Sequence, residues 1–168
     1  MEPKIQELLD KQAIEEVILR YGRTQDWLDD AGQESCFWPD ADIDYGFFKG
    51  NGADFVKTVM AHEREVPRRW HLCTSVMIKV NGLKAKAECY GIAVGGRNVD
   101  GKVHSNMYGG RYLDELEKRL GEWRISKRTY VLDWSHQFPD AIANTAGADF
   151  PLHVLDISDG GHPLYRRL

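Results

Sequence analysis

An aspartate and a histidine that are far apart in the sequence carry the side chains needed for proton transfer without a cofactor. Asp26 lies at the end of a long amphipathic segment, within YGRTQDW, and His71 opens an apolar segment, within RWHLC. A carboxylate that orients an imidazole equips the imidazole to remove a proton. That proton would lie α to a carbonyl or β to a leaving group, since no residue pattern supplies a metal or a redox carrier. The pair therefore predicts an enzyme that catalyses elimination or isomerisation.

The elements that must position this pair are predicted to be helices first and strands afterwards. Apolar residues recur at steps of three or four from Ile5 to Tyr21, which is typical of a helix that covers a core. After this helix the sequence predicts a short helix at 33–38, a strand at 41–48 and a third helix at 53–63.

From Trp70 onward the apolar residues alternate, which is typical of strands. Four long strands are predicted at 72–80, 84–94, 103–113 and 123–134, with turn signals at Asn81-Gly82, Asn98 to Gly101 and Leu120-Gly121. Consecutive strands joined by tight turns form a meander. The sequence therefore predicts an α+β fold, with N-terminal helices packed on a curved antiparallel β-sheet.

The length of 168 residues fits one domain, predicted at 1–138. Residues 139–168 lose the strand pattern and are predicted to form a C-terminal tail that covers the pocket or a neighbouring subunit. The 22 basic and 26 acidic residues are interspersed and give a net charge of -4, without a basic patch. Nucleic acid is therefore not an expected partner.

The cysteines and the apolar runs predict a cytoplasmic protein. Cys36, Cys73 and Cys89 are odd in number, lack CxxC spacing and lie among apolar neighbours, which is typical of reduced cysteines. No apolar run is long enough for a signal peptide or a membrane span, so no membrane association is expected. The histidines show no metal-binding spacing, and we predict neither a metal site nor a cofactor.

The order of these motifs resembles the NTF2-like (cystatin-like) superfamily of cone-shaped α+β proteins. Within it, the chain is similar to the SnoaL-like branch, which includes scytalone dehydratase, bile-acid 7α-dehydratase and the hexachlorocyclohexane dehydrochlorinase LinA. The resemblance covers roughly residues 5–134 and rests on AIEE at 13–16 followed by Tyr21 and Asp26, on DADIDY at 40–45, on His71 before a long strand and on GEWRISKR at 121–128.

The resemblance implies an Asp-His dyad at the bottom of a closed conical pocket, formed here by Asp26 and His71. It also implies a cofactor-independent lyase, most simply a dehydratase acting by β-elimination. Tyr21 matches a tyrosine of the bile-acid enzyme, and Arg128 matches a pocket arginine of the dehydrochlorinase. Tyr21 or the His71 imidazolium would protonate the leaving group, and Arg128 would bind a developing oxyanion or a leaving anion.

Aromatic residues are abundant enough to line a pocket for a hydrophobic cyclic or aromatic substrate. The predicted substrate-binding residues are Trp27, Trp38, Tyr45, Tyr90, Tyr108 and His104. His104 enters this set because the chain lacks the second polar residue that the two dehydratases place on the strand equivalent to 84–94.

Two other interpretations remain open at this stage. The same fold serves isomerases and polyketide cyclases, which return the proton to the substrate, and it also serves non-catalytic binding modules. Family dehydratases are commonly trimers, so we expect a homo-oligomer, with a trimer favoured.

Each candidate residue also has a purely structural interpretation. Tyr21 lies on the apolar stripe of the first helix, where a core tyrosine is expected, and Arg128 alternates with Ser126 and Tyr130 on its strand, where a solvent-facing arginine is common. Asp26 is predicted near the negative pole of a helix dipole. That position is unfavourable for a carboxylate and indicates a functional reason for it.

Overall fold

Three helices lie against a six-stranded sheet in the computed structural model, which describes residues 2–66, 69–138, 159 and 161–168. The helices are α1 (Pro3–Asp26), α2 (Asp30–Glu34) and α3 (Gly52–Glu65). The strands are β1 (Phe37–Asp44), β2 (Lys49–Asn51), β3 (Trp70–Asn81), β4 (Lys84–Val99), β5 (Lys102–Arg119) and β6 (Glu122–Phe138).

The sheet has the strand order β2-β1-β6-β5-β4-β3, and β3 to β6 form the predicted antiparallel meander. Tight turns join these strands, with left-handed φ angles at Asp100 and Gly101 and again at Leu120 and Gly121. Two consecutive left-handed residues are typical of the turns that match the twist of a hairpin. The predicted α+β fold, with helices packed on a curved sheet, is confirmed.

One strand pair departs from the expected antiparallel sheet. β1 pairs with β6 in parallel, so the sheet is mixed. Parallel neighbours need a long connection, and here β2, α3 and the strands β3 to β5 separate the two strands along the chain. No hairpin turn links β1 to β6, and the sequence signals for hairpins therefore carried no information on this pairing.

The segment around Pro39 also differs from the prediction. The second helix ends at Glu34 rather than near residue 38, and β1 already begins at Phe37. Pro39 lies inside β1, where the pairing with β6 shifts register between Phe37 and Asp42. A proline is tolerated at such an irregularity because no ladder hydrogen bond needs its missing N–H.

The core lies between α1, α3 and the face of the sheet that they cover, which we call the inner face. Fully buried side chains of this core include Ile14, Ile18, Phe37, Ile43, Phe55, Leu116 and Ile125. The opposite, outer face carries charged and apolar side chains that are largely exposed, such as Lys86 and Leu113. Among the described residues, none of the helices combines the length and apolar character needed to cross a membrane.

Candidate active site

The end of α1 places Asp26 at the sheet. The amide N–H of Leu28 donates to the carbonyl of Gln25 at 3.2 Å, and that of Asp29 donates to the carbonyl of Thr24 at 2.9 Å. This pair of bonds is the Schellman arrangement, with Leu28 in the left-handed conformation that usually favours glycine (φ 50°). The motif ends the helix directly after Asp26, which leaves this carboxylate facing β3.

Asp26 and His71 form the predicted dyad. The Asp26 Oδ1 lies 2.8 Å from His71 Nδ1, and Asp26 Oδ2 accepts the backbone N–H of His71 at 3.1 Å. A carboxylate can only accept, so Nδ1 carries the proton and the lone pair of the neutral ring lies on Nε2. The His71 and Asp26 side chains are 10% and 21% exposed, so the pair is largely removed from water.

Gly22 allows α1 to come close enough to β3 for this contact. A Cβ at position 22 would lie 3.2 Å from the Cβ of His71 and 3.5 Å from the Sγ of Cys73. Glycine is unfavourable inside a helix, by about 1 kcal/mol relative to alanine. Here it gives the close packing that brings the last turn of α1 onto His71.

The charges around His71 favour its protonated form. Burial lowers the pKa of His71, but the hydrogen bond and charge of Asp26, together with the charge of Glu63, outweigh burial. The pKa therefore lies above its ordinary value. His71 is a stronger base than a free imidazole, and its proton is correspondingly held more firmly.

Arg128 is fully buried on β6 and pairs with Asp114 of β5, so the interpretation as a solvent-facing residue is wrong. Its Nε and Nη2 donate to the two Asp114 carboxylate oxygens at 2.7 and 2.6 Å. The guanidinium lies 4.2 Å from the ring centre of Tyr21 and 4.5 Å from that of Tyr112. Among the described residues, Nη1 has no hydrogen-bond partner, so a buried NH2 group remains available to donate.

Tyr21 shares a hydrogen bond with Tyr45, whose hydroxyl oxygen lies 2.7 Å from that of Tyr21. The Tyr45 ring in turn stacks on Tyr130, with ring centres 5.3 Å apart. Burial raises the pKa of Tyr21 and of Tyr45 well above the usual tyrosine value, even though Arg128 acts in the opposite direction. These phenols are therefore neutral hydrogen-bonding groups and weak acids.

The strand register joins this tyrosine-arginine cluster (Tyr21, Tyr45, Tyr112, Arg128 and Asp114) to the dyad. Opposite residues of antiparallel neighbours share a face, and Cys73 is opposite Gly91, which is opposite Gly110. These opposite residues form a glycine-rich row that runs across the strands. The row lies next to the row that contains His71, and therefore between the dyad and the cluster.

The two glycines of that row make room for phenol rings. A Cβ on Gly91 would lie 2.5 Å from the ring of Tyr112, and one on Gly110 would lie 2.6 Å from the hydroxyl of Tyr130. Both phenol rings therefore extend over the glycines toward the row of His71. The dyad and the phenol groups thus occupy adjacent rows of one face.

The row of His71 is open to solvent at its far side. His71 is opposite Ala93, which is opposite the predicted substrate residue Tyr108. Tyr108 is 41% exposed, and Ser135, opposite it on β6, is also exposed. An apolar ligand could therefore approach His71 over the small side chain of Ala93.

Three of the predicted substrate-binding residues lie away from the dyad. Trp38 donates its Nε1–H to the carbonyl of Glu117 and packs between two arginines. Tyr90 faces the outer side of the sheet, since the side chain of its neighbour Cys89 is buried on the inner face. His104 lies near the β4–β5 turn, roughly 13 Å along the strand from the row of His71. The sequence identified suitable residue types at these positions, but it did not show on which face of the sheet, or in which row of opposite residues, each side chain lies.

Trp27 contacts the end of the chain. Its ring lies 5.6 Å from that of Tyr165 and 6.0 Å from that of His162, and the Tyr165 hydroxyl donates to Asp29 at 2.6 Å. The described end of the tail thus packs beside the end of α1. The remainder of the predicted tail, 139–158 and 160, lies outside the described residues.

Sequence reasoning missed two acidic members of this site. Glu63 lies on the buried side of α3 with Val56 and Met60, and Asp114 alternates with Tyr112 and Leu116 on the inner face of β5. A charged residue at the spacing of an apolar stripe was the available signal in both cases. This signal does not identify a partner, because the partner of each carboxylate lies on another element and is set by packing and strand register.

The described part of the chain has a depression on the outer face of the sheet, away from the dyad. This depression of about 450 Å³ is lined mainly by outer-face side chains such as Met77, Lys86, Leu113 and Lys127, and contains neither Asp26 nor His71. Among the residues that the structure describes, no group of three or more His, Cys, Asp or Glu side chains could hold a metal ion.

Solved structures share this architecture. A hexachlorocyclohexane dehydrochlorinase, LinA type 2, is 18% identical over 90% of this chain and 99% of its own, with a TM-score of 0.73. A protein from Novosphingobium aromaticivorans described as a candidate scytalone dehydratase is 18% identical over 95% and 98%, with a TM-score of 0.71. An NTF2-like protein with a cystatin-like fold from the same species is 23% identical over 77% and 85%, with a TM-score of 0.63.

These structural likenesses confirm the predicted NTF2-like fold. The search of curated proteins found no match. The family model of the SnoaL-like domain matches residues 6–129, a range that contains both members of the dyad and all of the tyrosine-arginine cluster. By this match, the chain belongs to the SnoaL-like domain family.

Proposed function

We propose that this protein is a cofactor-independent lyase that catalyses a dehydratase-like β-elimination on a hydrophobic cyclic or aromatic small molecule. The observation that carries the proposal is the double contact of Asp26, which accepts both the Nδ1–H and the backbone N–H of His71. This contact fixes the ring and its tautomer, which leaves Nε2 as the base. The dehydratase and dehydrochlorinase among the similar structures add support from proteins of the same fold.

In the proposed reaction His71 Nε2 removes the proton, and the electrons of the C–H bond form the new double bond. The leaving group departs with its bonding pair, and the imidazolium can return the proton to a departing hydroxyl. Asp26 stays ionised and stabilises the imidazolium. General acid-base catalysis of this kind contributes about 10²- to 10⁴-fold in rate.

Tyr21 and Arg128 act in this proposal as hydrogen-bonding helpers. Because burial raises the pKa of Tyr21, the imidazolium is a better acid for the leaving group than this phenol. The charge of Arg128 is already balanced by Asp114, and its Nη1–H remains to donate to a substrate oxygen. A balanced pair favours a neutral carbonyl or hydroxyl oxygen over a carboxylate or phosphate.

The proposal is tested on a panel of hydroxylated and halogenated cyclic and aromatic compounds, with product analysis by mass spectrometry. The His71→Ala and Asp26→Asn variants should each lose turnover at least about 10²-fold while keeping the circular dichroism spectrum of the wild type. His136→Ala, which removes an exposed histidine of β6, is the matched control and should keep full activity. Near-normal turnover in either dyad variant would refute the lyase.

The two rival functions give different results in the same experiment. An isomerase or cyclase would incorporate solvent deuterium into its product without releasing water or halide. A binding module would retain a panel compound without converting it. For the lyase, we expect release of the leaving group with a new double bond.

We further propose that the protein is a homo-oligomer, with a trimer favoured, assembled through the outer face of the sheet. Exposed apolar side chains on this face support the proposal, with Met77 73%, Tyr90 48% and Leu113 39% exposed. Light scattering should give a mass above that of one chain. A single monomeric species at micromolar concentration would contradict the assembly.

A further inference from the structure

A second carboxylate faces the other ring nitrogen of His71. Glu63 Oε1 lies 3.9 Å from His71 Nε2, and the Glu63 and His71 side chains are 9% and 10% exposed. Nδ1 is already bonded to Asp26 on the opposite side of the ring. The imidazole therefore lies between two carboxylates that come from different helices.

Arg69 forms hydrogen bonds to both of the helix ends that carry these carboxylates. Its Nε donates to the carbonyl of Gln25, next to Asp26, at 3.0 Å. Its Nη1 donates to the carbonyls of Glu63 and Val66 at 3.1 and 3.2 Å. One side chain thus holds the C-terminal end of α1 and that of α3 beside the start of β3, which fixes the spacing of both carboxylates about the ring.

A buried glutamate on an apolar helix face is costly without a partner. On this side of α3, Phe55, Val56 and Met60 are apolar and buried, and Glu63 continues the same stripe. An apolar residue at position 63 would pack more simply. Since the Glu63 carboxylate is directed at Nε2, the atom that the proposed lyase uses as its base, a role in proton transfer accounts for its place.

We propose that Glu63 is a positioning residue of this site, which stabilises the proton on His71 Nε2 after the ring has removed it from the substrate. The proposal rests on the proposed lyase function. Nε2 has a free lone pair before the reaction and carries a proton after it. The negative charge of Glu63 favours the second state, and Asp26 supports it from the other nitrogen.

The other charged and titratable groups near His71 act in both directions. Arg69, directly before β3, places a positive charge beside Glu63 that acts to lower the pKa of this carboxyl. Cys73, on the same face of β3, acts to raise the pKa of His71 in its thiolate form. Burial raises the pKa of Glu63, so the ionised form of this carboxylate depends on the nearby positive groups.

The test is an NMR titration of the His71 ring in the full-length protein with labelled histidine, for the wild type, Glu63→Gln and Glu65→Gln. Glu63→Gln should lower the pKa of His71 by about half a unit or more, as expected for removing a unit charge about 4 Å away. Glu65 is exposed on the same helix, two residues further along, so Glu65→Gln removes an equal charge and should leave the titration unchanged.

A His71 pKa in Glu63→Gln equal to that of the wild type would overturn the proposal. Glu63→Asp is the second variant in case the glutamine protein does not fold. It keeps the charge but withdraws it from Nε2, so a smaller fall is expected, and an unchanged pKa would again overturn the coupling.

The titration needs no substrate, so it is separate from the test of the lyase. If His71→Ala retains turnover while Glu63→Gln lowers the pKa of His71, the lyase proposal fails, and with it the catalytic role of Glu63, although the electrostatic coupling is real. If turnover depends on His71 and the pKa does not respond to Glu63, only the present proposal fails. If both hold, the acidic limb of the pH profile of kcat/KM should move to lower pH in Glu63→Gln.

Discussion

Two arginine-aspartate pairs join β5 to β6 on opposite faces of the sheet. On the inner face, Arg128 donates to Asp114 at 2.7 and 2.6 Å, and the two side chains are 0% and 1% exposed. On the outer face, Arg111 donates to Asp133 at 2.9 and 2.8 Å, and the side chains are 39% and 30% exposed. The geometry is the same, and the difference is the access of water.

The access of water sets the energetic cost of breaking each pair. Around the outer pair water screens the charges, so breaking the pair costs little because each group is rehydrated. Around the inner pair no water can replace a lost partner, and the remaining charge would be stranded. The Asp26–His71 pair lies between these limits, since it is largely buried but belongs to a histidine that can lose its charge. This intermediate condition suits the proton transfer proposed for His71.

The largest expected effect is on stability at the inner pair. Asp114→Asn leaves the buried Arg128 charge without a counter-charge and should lower the free energy of unfolding by about 3–5 kcal/mol. Urea denaturation of the wild type and the variant measures the difference. A loss below about 1 kcal/mol would mean that water enters the inner face and would remove the contrast between the two faces.

The matched control for this variant removes both charges. Arg128→Met combined with Asp114→Leu leaves no stranded charge and should recover most of the lost stability. If the double variant is as unstable as Asp114→Asn, packing among Tyr21, Tyr112 and Phe37 is the main contribution of Arg128.

A second prediction concerns the close approach of α1 to His71. Gly22→Ala places a methyl group 3.2 Å from the His71 Cβ, so the helix end or the histidine must move. The better helix propensity of alanine, about 1 kcal/mol, offsets part of the strain. We therefore expect a modest change in stability with a loss of turnover of up to about 10²-fold.

The crystal structure of the Gly22→Ala variant should show a longer Asp26–His71 contact. Ala31→Gly, at an exposed position of α2, is a control for a glycine-alanine exchange far from the ring and should leave turnover unchanged. Full activity of Gly22→Ala would show that the dyad tolerates displacement.

A third prediction uses the titration of His71. Its pKa is raised in the folded protein, because the effects of Asp26 and Glu63 outweigh the opposing effect of burial. Protonated His71 therefore stabilises the fold fully below the unfolded pKa of about 6.5. That contribution is lost as the pH rises through the folded pKa. The difference in unfolding free energy between the wild type and His71→Asn should thus decrease as the pH is raised from 6 to 9, and a difference that grows would contradict the assigned sign.

The smallest expected effect is at the outer pair. Asp133→Asn should leave the melting temperature within the error of the measurement, because water replaces the lost partner of Arg111. Differential scanning calorimetry at low and moderate salt is sufficient to test this. A clear fall in melting temperature would indicate that another copy of the chain covers the outer face, which would support the proposed oligomer.

Much of the fold could be predicted from local patterns. The apolar stripe from Ile5 to Tyr21 identified α1, and the turn signals at Asn81-Gly82 and Leu120-Gly121 identified two hairpins of the meander. Residues in a continuous helix or hairpin have their partners nearby in sequence, so a period is enough. The parallel pairing of β1 with β6 could not be found in this way, because its partners, such as Asp42 and Lys127, are 85 or more residues apart.

The candidate site shows the same difference between residues that could be recognised from the sequence and residues that only tertiary packing places. Asp26 and His71 were recognisable because their residue types, sequence contexts and order matched a family pattern, and the structure brings them to 2.8 Å. Tyr90 and Trp38 were chosen for their type alone, and the structure places them elsewhere. Glu63 was missed because its proximity to His71 depends on the packing of α3 against the sheet.

The sequence by itself determined the helices, the meander and the residue types of the pair proposed to transfer a proton, since periodicity and residue chemistry are local properties. Only the tertiary structure decided which charges are stranded, screened or titratable. Those properties depend on how separate elements pack against one another and on the exclusion of water, as at Asp114, Asp133 and Glu63. For this protein, the candidate residues can be identified from the sequence, whereas the fold sets their protonation states.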